Sequence, residues 1–227
     1  MLSKRLQAVL ALVPPGHPVA DIGTDHGFLA LELSRICPRV IATDLNKGPY
    51  AAACRHIQSQ GVKNIEVRWG RGLEPLRPGE VETVVLAGMG GNTMLEILAE
   101  GDLSQIKHLI LQPQSFAPEL RIWLNEHGWY LQQEKLVLEE GHLYVIMAAV
   151  RGRETQKFFR RWGPRLWENQ DPLWPEYLER LNRECQQVLA GIAQSRHPLK
   201  TELAVRAELY GRLQQKIQQI KKEMNQC

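Results

Sequence analysis

Two carboxylates share one glycine-bracketed turn, Asp21 and Asp25 in Val19-Ala20-Asp21-Ile22-Gly23-Thr24-Asp25-His26-Gly27. An apolar run climbs to Asp21, and Phe28-Leu29-Ala30-Leu31-Glu32-Leu33 follows as a helix. Strand, glycine turn and helix form the first half of a nucleotide-type cofactor pocket in an open α/β sheet. The pattern is D-x-G-x-x-x-G, with Asp25 where a dinucleotide fingerprint often carries another glycine. A pyrophosphate wants bare backbone N–H groups at a helix N-terminus, and a carboxylate there repels it. Carboxylates suit a cation instead. Asp25 also reads as a cap for the helix after Gly27. His26 reads as a proton shuttle, a ring that stacks on substrate, or a plain turn residue.

In such a sheet the ligand lies at the carboxyl ends of the strands. The second strand ends at Asp44, 21 residues after Gly23, the interval at which an acid accepts from ribose hydroxyls. The third ends at Gly70-Arg71-Gly72, the fourth at Ala87-Gly88-Met89-Gly90-Gly91, and the fifth at Gln112-Pro113-Gln114. Glycines at three strand ends plus Asp44 predict a nucleotide-like cofactor; the alternative is that the glycines only serve turns. The acids of the first turn point to S-adenosylmethionine, whose sulfonium and ammonium groups are both positive.

The elements that must position these residues follow from periodicity. Residues 2–13 form an amphipathic helix that Ser3 can cap and that Pro14-Pro15-Gly16 ends. Strands are expected at 19–22, 39–44, 65–69, 81–87, 108–111, 129–137 and 143–149. Helices are expected at 28–36, from Gly48-Pro49 to about Gln60, from an Asn92 cap to Leu98, and at 118–127. The last two strands meet at Glu139-Glu140-Gly141-His142, too short a joint for a helix, so they pair as an antiparallel hairpin. The expected fold class is α/β: a seven-stranded mixed sheet whose terminal hairpin resembles class I Rossmann-like S-adenosylmethionine-dependent methyltransferases.

After residue 150 the character changes. Trp174, Leu178, Leu181, Cys185, Val188 and Ile192 keep heptad spacing, His197-Pro198 breaks it, and Leu203 to Met224 begins a second run. Two such arms read as an antiparallel coiled-coil hairpin. The expected domains are 1–152 for the cofactor and 153–227 for the helical part.

Bulk properties narrow the partners. Residues 151–227 carry 15 Lys and Arg against 9 Asp and Glu, a net +6, whereas residues 1–150 carry a net −3. A basic segment behind an acidic one suits a polyanion, or is a solvated helical face. The apolar runs are far below the roughly 18–20 residues of a membrane span. No cleavable leader is read at the start, so the expected location is cytoplasmic. The four cysteines form no C-x-x-C pair and no metal site is expected.

Several motifs together resemble one family. Leu2-Ser3-Lys4-Arg5-Leu6, Ala20-Asp21-Ile22-Gly23-Thr24-Asp25-His26-Gly27, Gly48-Pro49, Ala87-Gly88-Met89-Gly90-Gly91 and Leu111-Gln112-Pro113 resemble the bacterial tRNA (adenine-22)-N1-methyltransferases, called TrmK. The resemblance runs the length of the chain and includes the helical hairpin. It implies methyl transfer from S-adenosylmethionine to N1 of adenine 22 of tRNA, by a monomer or weak homodimer. It implies catalytic roles for Asp25 and His26. Cofactor contacts are implied for Asp21, Gly23, Thr24, Gly27, Asp44, Leu45, Arg71, Gly72, Ala87, Gly88 and Met89. The substrate side falls to Arg5, Gly90, Gln112, Pro113 and Gln114. Two positions depart from the family: Arg71 stands where Gly-Asp-Gly has its acid, and Gln114 where Gln-Pro-Asn has its asparagine. Arginine has no acceptor for the cofactor's adenine amino group. The alternatives are a methyltransferase for another RNA base or a small molecule, and a non-catalytic RNA-binding protein.

Overall fold

The computed structural model describes residues 2–153 and 163–194 and, beyond them, Glu208, Gly211, Gln215, Gln218 and Lys222. The chain divides by contacts into two compact units, Met1–Asp171 and Pro172–Cys227.

The first unit is a seven-stranded sheet in the order β3-β2-β1-β4-β5-β7-β6. Its chain order is α1 (Lys4–Leu12), β1 (Val19–Ile22), α2 (Phe28–Leu33), β2 (Val40–Asp44), α3 (Lys47–Ser59), β3 (Ile65–Trp69), β4 (Thr83–Met89), α4 (Gly91–Glu100), β5 (His108–Pro113), α5 (Ala117–Glu126), β6 (Trp129–Glu139), β7 (His142–Arg151) and the short α6 (Pro164–Glu168). The strands from β3 to β5 run parallel, and β7 inserts antiparallel between β5 and β6. The topology reverses at β1, which pairs with both β2 and β4. A ligand crevice belongs at that point.

Residue types explain the layout. Every residue of β1 and β2 is buried, as parallel central strands covered on both faces must be. Ser3 caps α1, its hydroxyl accepting from the Leu6 N–H at 3.2 Å. The β6–β7 joint is Glu140-Gly141, with φ of 49° and 77°, the two positive values of a type I′ turn. One buried ion pair ties α5 to β6. The Arg121 Nε donates to Glu134 at 2.6 Å with both side chains fully buried, and the other Glu134 oxygen accepts from the Arg165 N–H at 3.1 Å.

Four details differ from the sequence expectations. β4 continues through Gly88 to Met89, because a register shift between Ala87 and Met89 lets it stay paired with β5. α4 begins at Gly91 with Gly90 as its cap, so Asn92 lies inside the helix. Gly91 packs closely at that start: a Cβ there would sit 2.3 Å from the Ser115 carbonyl oxygen. α2 stops at Leu33, and Ile36 N–H bonds back only three residues to Leu33, tightening the end into a turn. The helix α6 has no counterpart in the expected elements.

In the second unit, α7 spans Trp174–Gln194 and buries Trp174, Tyr177, Leu178 and Leu181, one helical stripe. The His197-Pro198 break and the Leu203–Met224 run lie outside the described residues, apart from single helical positions, of which Glu208, Gln215, Gln218 and Lys222 are exposed.

Candidate active site

The first turn is held by backbone bonds to the neighbouring strand. The Gly23 and Thr24 N–H groups both donate to the Thr43 carbonyl at 2.9 Å. Gly23 takes φ 75°, and a Cβ there would meet the Met89 side chain at 2.9 Å, so glycine lets β1 and β4 close on one another. Asp25 carries a positive φ of 53° without being glycine. Its N–H donates to the Asp44 carboxylate at 3.1 Å, and the other Asp44 oxygen accepts from the Asn46 N–H at 2.9 Å.

The two turn acids have different surroundings. Asp21 is buried and accepts from the Thr24 hydroxyl at 2.7 Å. Burial, with the Asp44 charge adding, pushes its carboxyl up to about 6 against the opposing hydrogen bond of Thr24. Asp25 is 70% exposed and lies 3.7 Å from the His26 ring. It does not cap α2, whose start at Gly27 has no side-chain cap. The His26 carbonyl accepts from His56 Nδ1 at 2.8 Å, and the His26 and His56 rings flank Phe28 at 6.0 and 4.7 Å between centroids. Phe28 itself is largely exposed.

A cavity of about 260 Å³ opens at the carboxyl edge where the topology reverses. Its wall holds Gly23, Asp44, Leu45, Arg71, Gly72, Ala87, Gly88 and Met89 of the expected cofactor residues. Asp21, Thr24, Gly27, Asp25 and His26 are not part of that wall; Asp21 and Thr24 brace the turn behind it. Arg5 and Gln112 form a neighbouring group. Arg5 donates to the Gln112 side-chain oxygen, lies 5.5 Å from the Tyr144 ring centroid, and would be 3.3 Å from a Cβ on Gly88. Gln112 is buried and donates to the Pro113 carbonyl, and the Gln114 N–H donates to Met89. Gly90 packs beside Ser115 at the start of α4.

The sequence reading missed Ile22, Thr43, Asn46, Gly70, Thr93, Glu96 and Ile97, which complete the wall. Thr93, Glu96 and Ile97 recur at helical spacing on α4, so a helix facing the fourth strand end was the available signal. Thr43 is fully buried, with its hydroxyl closed off from the cavity. Asp44 offers a carboxylate for a diol, and Leu45, Met89 and Ile97 offer apolar surface. This donor set fits the adenosine part of S-adenosylmethionine. Among the described residues no cluster of His, Cys, Asp and Glu stands ready to hold a metal ion, and no helix is long and apolar enough to cross a membrane.

Residues 2–147 match the family model of a methyltransferase domain. The Bacillus subtilis tRNA (adenine(22)-N(1))-methyltransferase is 37% identical over 156 residues, 66% of this chain and 66% of that protein. The solved structure of the B. subtilis m1A22 tRNA methyltransferase TrmK matches with a TM-score of 0.83 at 27% identity, over 97% of this chain and 98% of that one. The chain belongs to the TrmK family. Another TrmK, from M. capricolum, was solved in complex with the cofactor product S-adenosylhomocysteine. It matches with a TM-score of 0.79 at 25% identity, over 96% of this chain and 98% of that one. Against the TrmK motifs, the departure at Arg71 has a visible setting. The guanidinium pairs with Glu100 at 2.9 Å and lies 3.8 Å from Glu96, both on α4.

Proposed function

We propose that this chain is a tRNA (adenine-22)-N1-methyltransferase that uses S-adenosylmethionine. The observation that carries the reading is a juxtaposition. A cavity walled by Asp44 adjoins, through the Asp25 N–H bond to Asp44, a segment that presents Asp25, His26 and Phe28 outward. Membership of the TrmK family supports it.

Bound S-adenosylmethionine supplies an electrophilic methyl group on a sulfonium sulfur. Asp44 would hold the ribose hydroxyls, and Leu45, Met89 and Ile97 the apolar faces. Neutral adenine carries a lone pair on N1, so no base need remove a proton before attack. The protein's task is alignment and stabilisation of the charge that grows on the ring. Asp25 is the group for that charge: exposed, at positive φ, and tied by its backbone N–H to the carboxylate of Asp44, which would hold the ribose. His26 and Phe28 present rings against which an extruded base can stack. Asp21 acts through the turn, holding Thr24. Arg5, Gly90, Gln112, Pro113 and Gln114 form the substrate side. We assign cofactor chemistry to residues 1–152 and tRNA backbone contacts to the basic residues 153–227, in a monomer or weak homodimer in the cytoplasm.

The test is methylation of an unmodified tRNA transcript followed by nucleoside mass spectrometry and position mapping. The expected product is 1-methyladenosine at position 22, lost in a transcript with guanine there. No methyl transfer, or methylation of another base, overturns the reading.

A further inference from the structure

We infer that Glu96 is the acceptor for the exocyclic amino group of the cofactor's adenine, held in place by Arg71; this rests on the S-adenosylmethionine reading of the cavity.

An adenine ring buried in this cavity brings one N–H₂ donor, and an unsatisfied buried donor is costly. Arg71, at the end of β3, has only donors. The wall carries two carboxylates. Asp44 is one, with Oδ1 and Oδ2 accepting from the Asn46 and Asp25 N–H groups and its remaining lone pairs assigned to the ribose hydroxyls. Glu96 is the other. Its nearest described partner is Arg71 at 3.8 Å, too long for a hydrogen bond, so its lone pairs are available. Glu100, one helical turn on, accepts from Arg71 at 3.3 Å and lines a different cavity, with Leu73, Val81 and Ile106. Glu96 and Glu100 are like charges at i and i+4, which repel. Arg71 stands between them and offsets that repulsion. The arginine is therefore a positioning residue: it keeps a carboxylate on the cavity wall from the neighbouring helix.

Calorimetric titration of the full chain with S-adenosylhomocysteine and with S-inosylhomocysteine tests this. The second ligand has an oxo group in place of the amino donor. The affinity ratio of the two ligands is the readout. Glu96→Ala should cut that ratio by about tenfold, the scale of a hydrogen bond to a charged group. Glu96→Gln, which keeps an oxygen acceptor, should retain most of it, and Glu100→Ala should leave it within about twofold. Glu96 is 63% exposed on a helix, where alanine is well tolerated. An unchanged ratio in Glu96→Ala, or an equal loss in Glu100→Ala, overturns the assignment. Failure of the unaltered chain to bind S-adenosylhomocysteine overturns the cofactor reading itself.

Discussion

Asp21 and Asp25 are four residues apart, and their environments separate their roles. Asp21 is a buried acid whose carboxyl is raised to about 6, mainly by burial. A raised acid favours the fold while it is protonated, so its contribution is full below about pH 4 and gone once the pH passes about 6. Asp21→Asn cannot ionise. Relative to the parent, it should gain about 3 kcal/mol in urea unfolding between pH 4 and pH 7.5, two pKa units at 1.36 kcal/mol each. An equal pH profile for both chains would mean that Asp21 is not the titrating group. Asp25→Asn, by contrast, should lower kcat by about 10²-fold and leave S-adenosylhomocysteine affinity unchanged, because the lost interaction belongs to the charged base. Full turnover in that variant sinks the assignment. Both acids were legible in the sequence, since their type and spacing in a glycine turn are local facts. Their division of labour was not. It depends on the Thr24 hydroxyl reaching back to Asp21 and on Asp25 adopting positive φ. Thr43 and Glu96 were invisible for the same reason: nothing local marks a threonine inside a buried strand, or a glutamate on a helix surface, as the wall of a cavity.

Elements were legible where one periodicity dominated. The central strands β1 and β2 are short apolar runs buried on both sides, and the hairpin followed from the joint Glu139 to His142, which the structure narrows to Glu140-Gly141. Boundaries failed where tertiary contact decides. Gly88-Met89 reads as a turn yet stays in β4 through a bulge, and α4 begins at Gly91, a glycine pressed against Ser115, rather than after Asn92. The Arg121–Glu134 pair is another element-scale device that composition hides. It joins α5 to β6, and through the Arg165 N–H it also fixes the start of α6. Arg121→Met removes the cation and leaves a buried carboxylate, which should cost about 3–5 kcal/mol. The double variant Arg121→Met with Glu134→Leu should recover most of that loss, because the uncompensated charge is gone. Urea unfolding followed by circular dichroism measures both. A double variant as unstable as the single one would mean that the pair contributes through its remaining hydrogen bonds rather than through charge compensation.

At the scale of the whole chain, charge is divided unevenly: a net −3 in residues 1–150 against +6 in residues 151–227. An acidic cofactor segment does not attract a polyanion over long range, so the proposed tRNA affinity falls to the basic segment. This division makes a sharp prediction. Each phosphate contact made by a lysine releases condensed counterions, and contributes about −0.7 to −0.9 to the slope of log affinity against log salt. Replacing Lys216, Lys221 and Lys222 together by glutamine should therefore flatten the slope for tRNA by about 2, if each lysine meets a phosphate. Affinity should fall by more than tenfold at low salt and converge on the parent at high salt. Calorimetric affinity for S-adenosylhomocysteine should not move, because the cavity is built entirely from residues 22–97. Filter binding of tRNA across a salt series separates the outcomes. A parallel slope with unchanged affinity would assign the basic residues to a solvated face and move tRNA recognition to the surface around Lys47. There the exposed Trp69 ring lies 5.4 Å from the Lys47 ammonium and pairs a stacking surface with a cation.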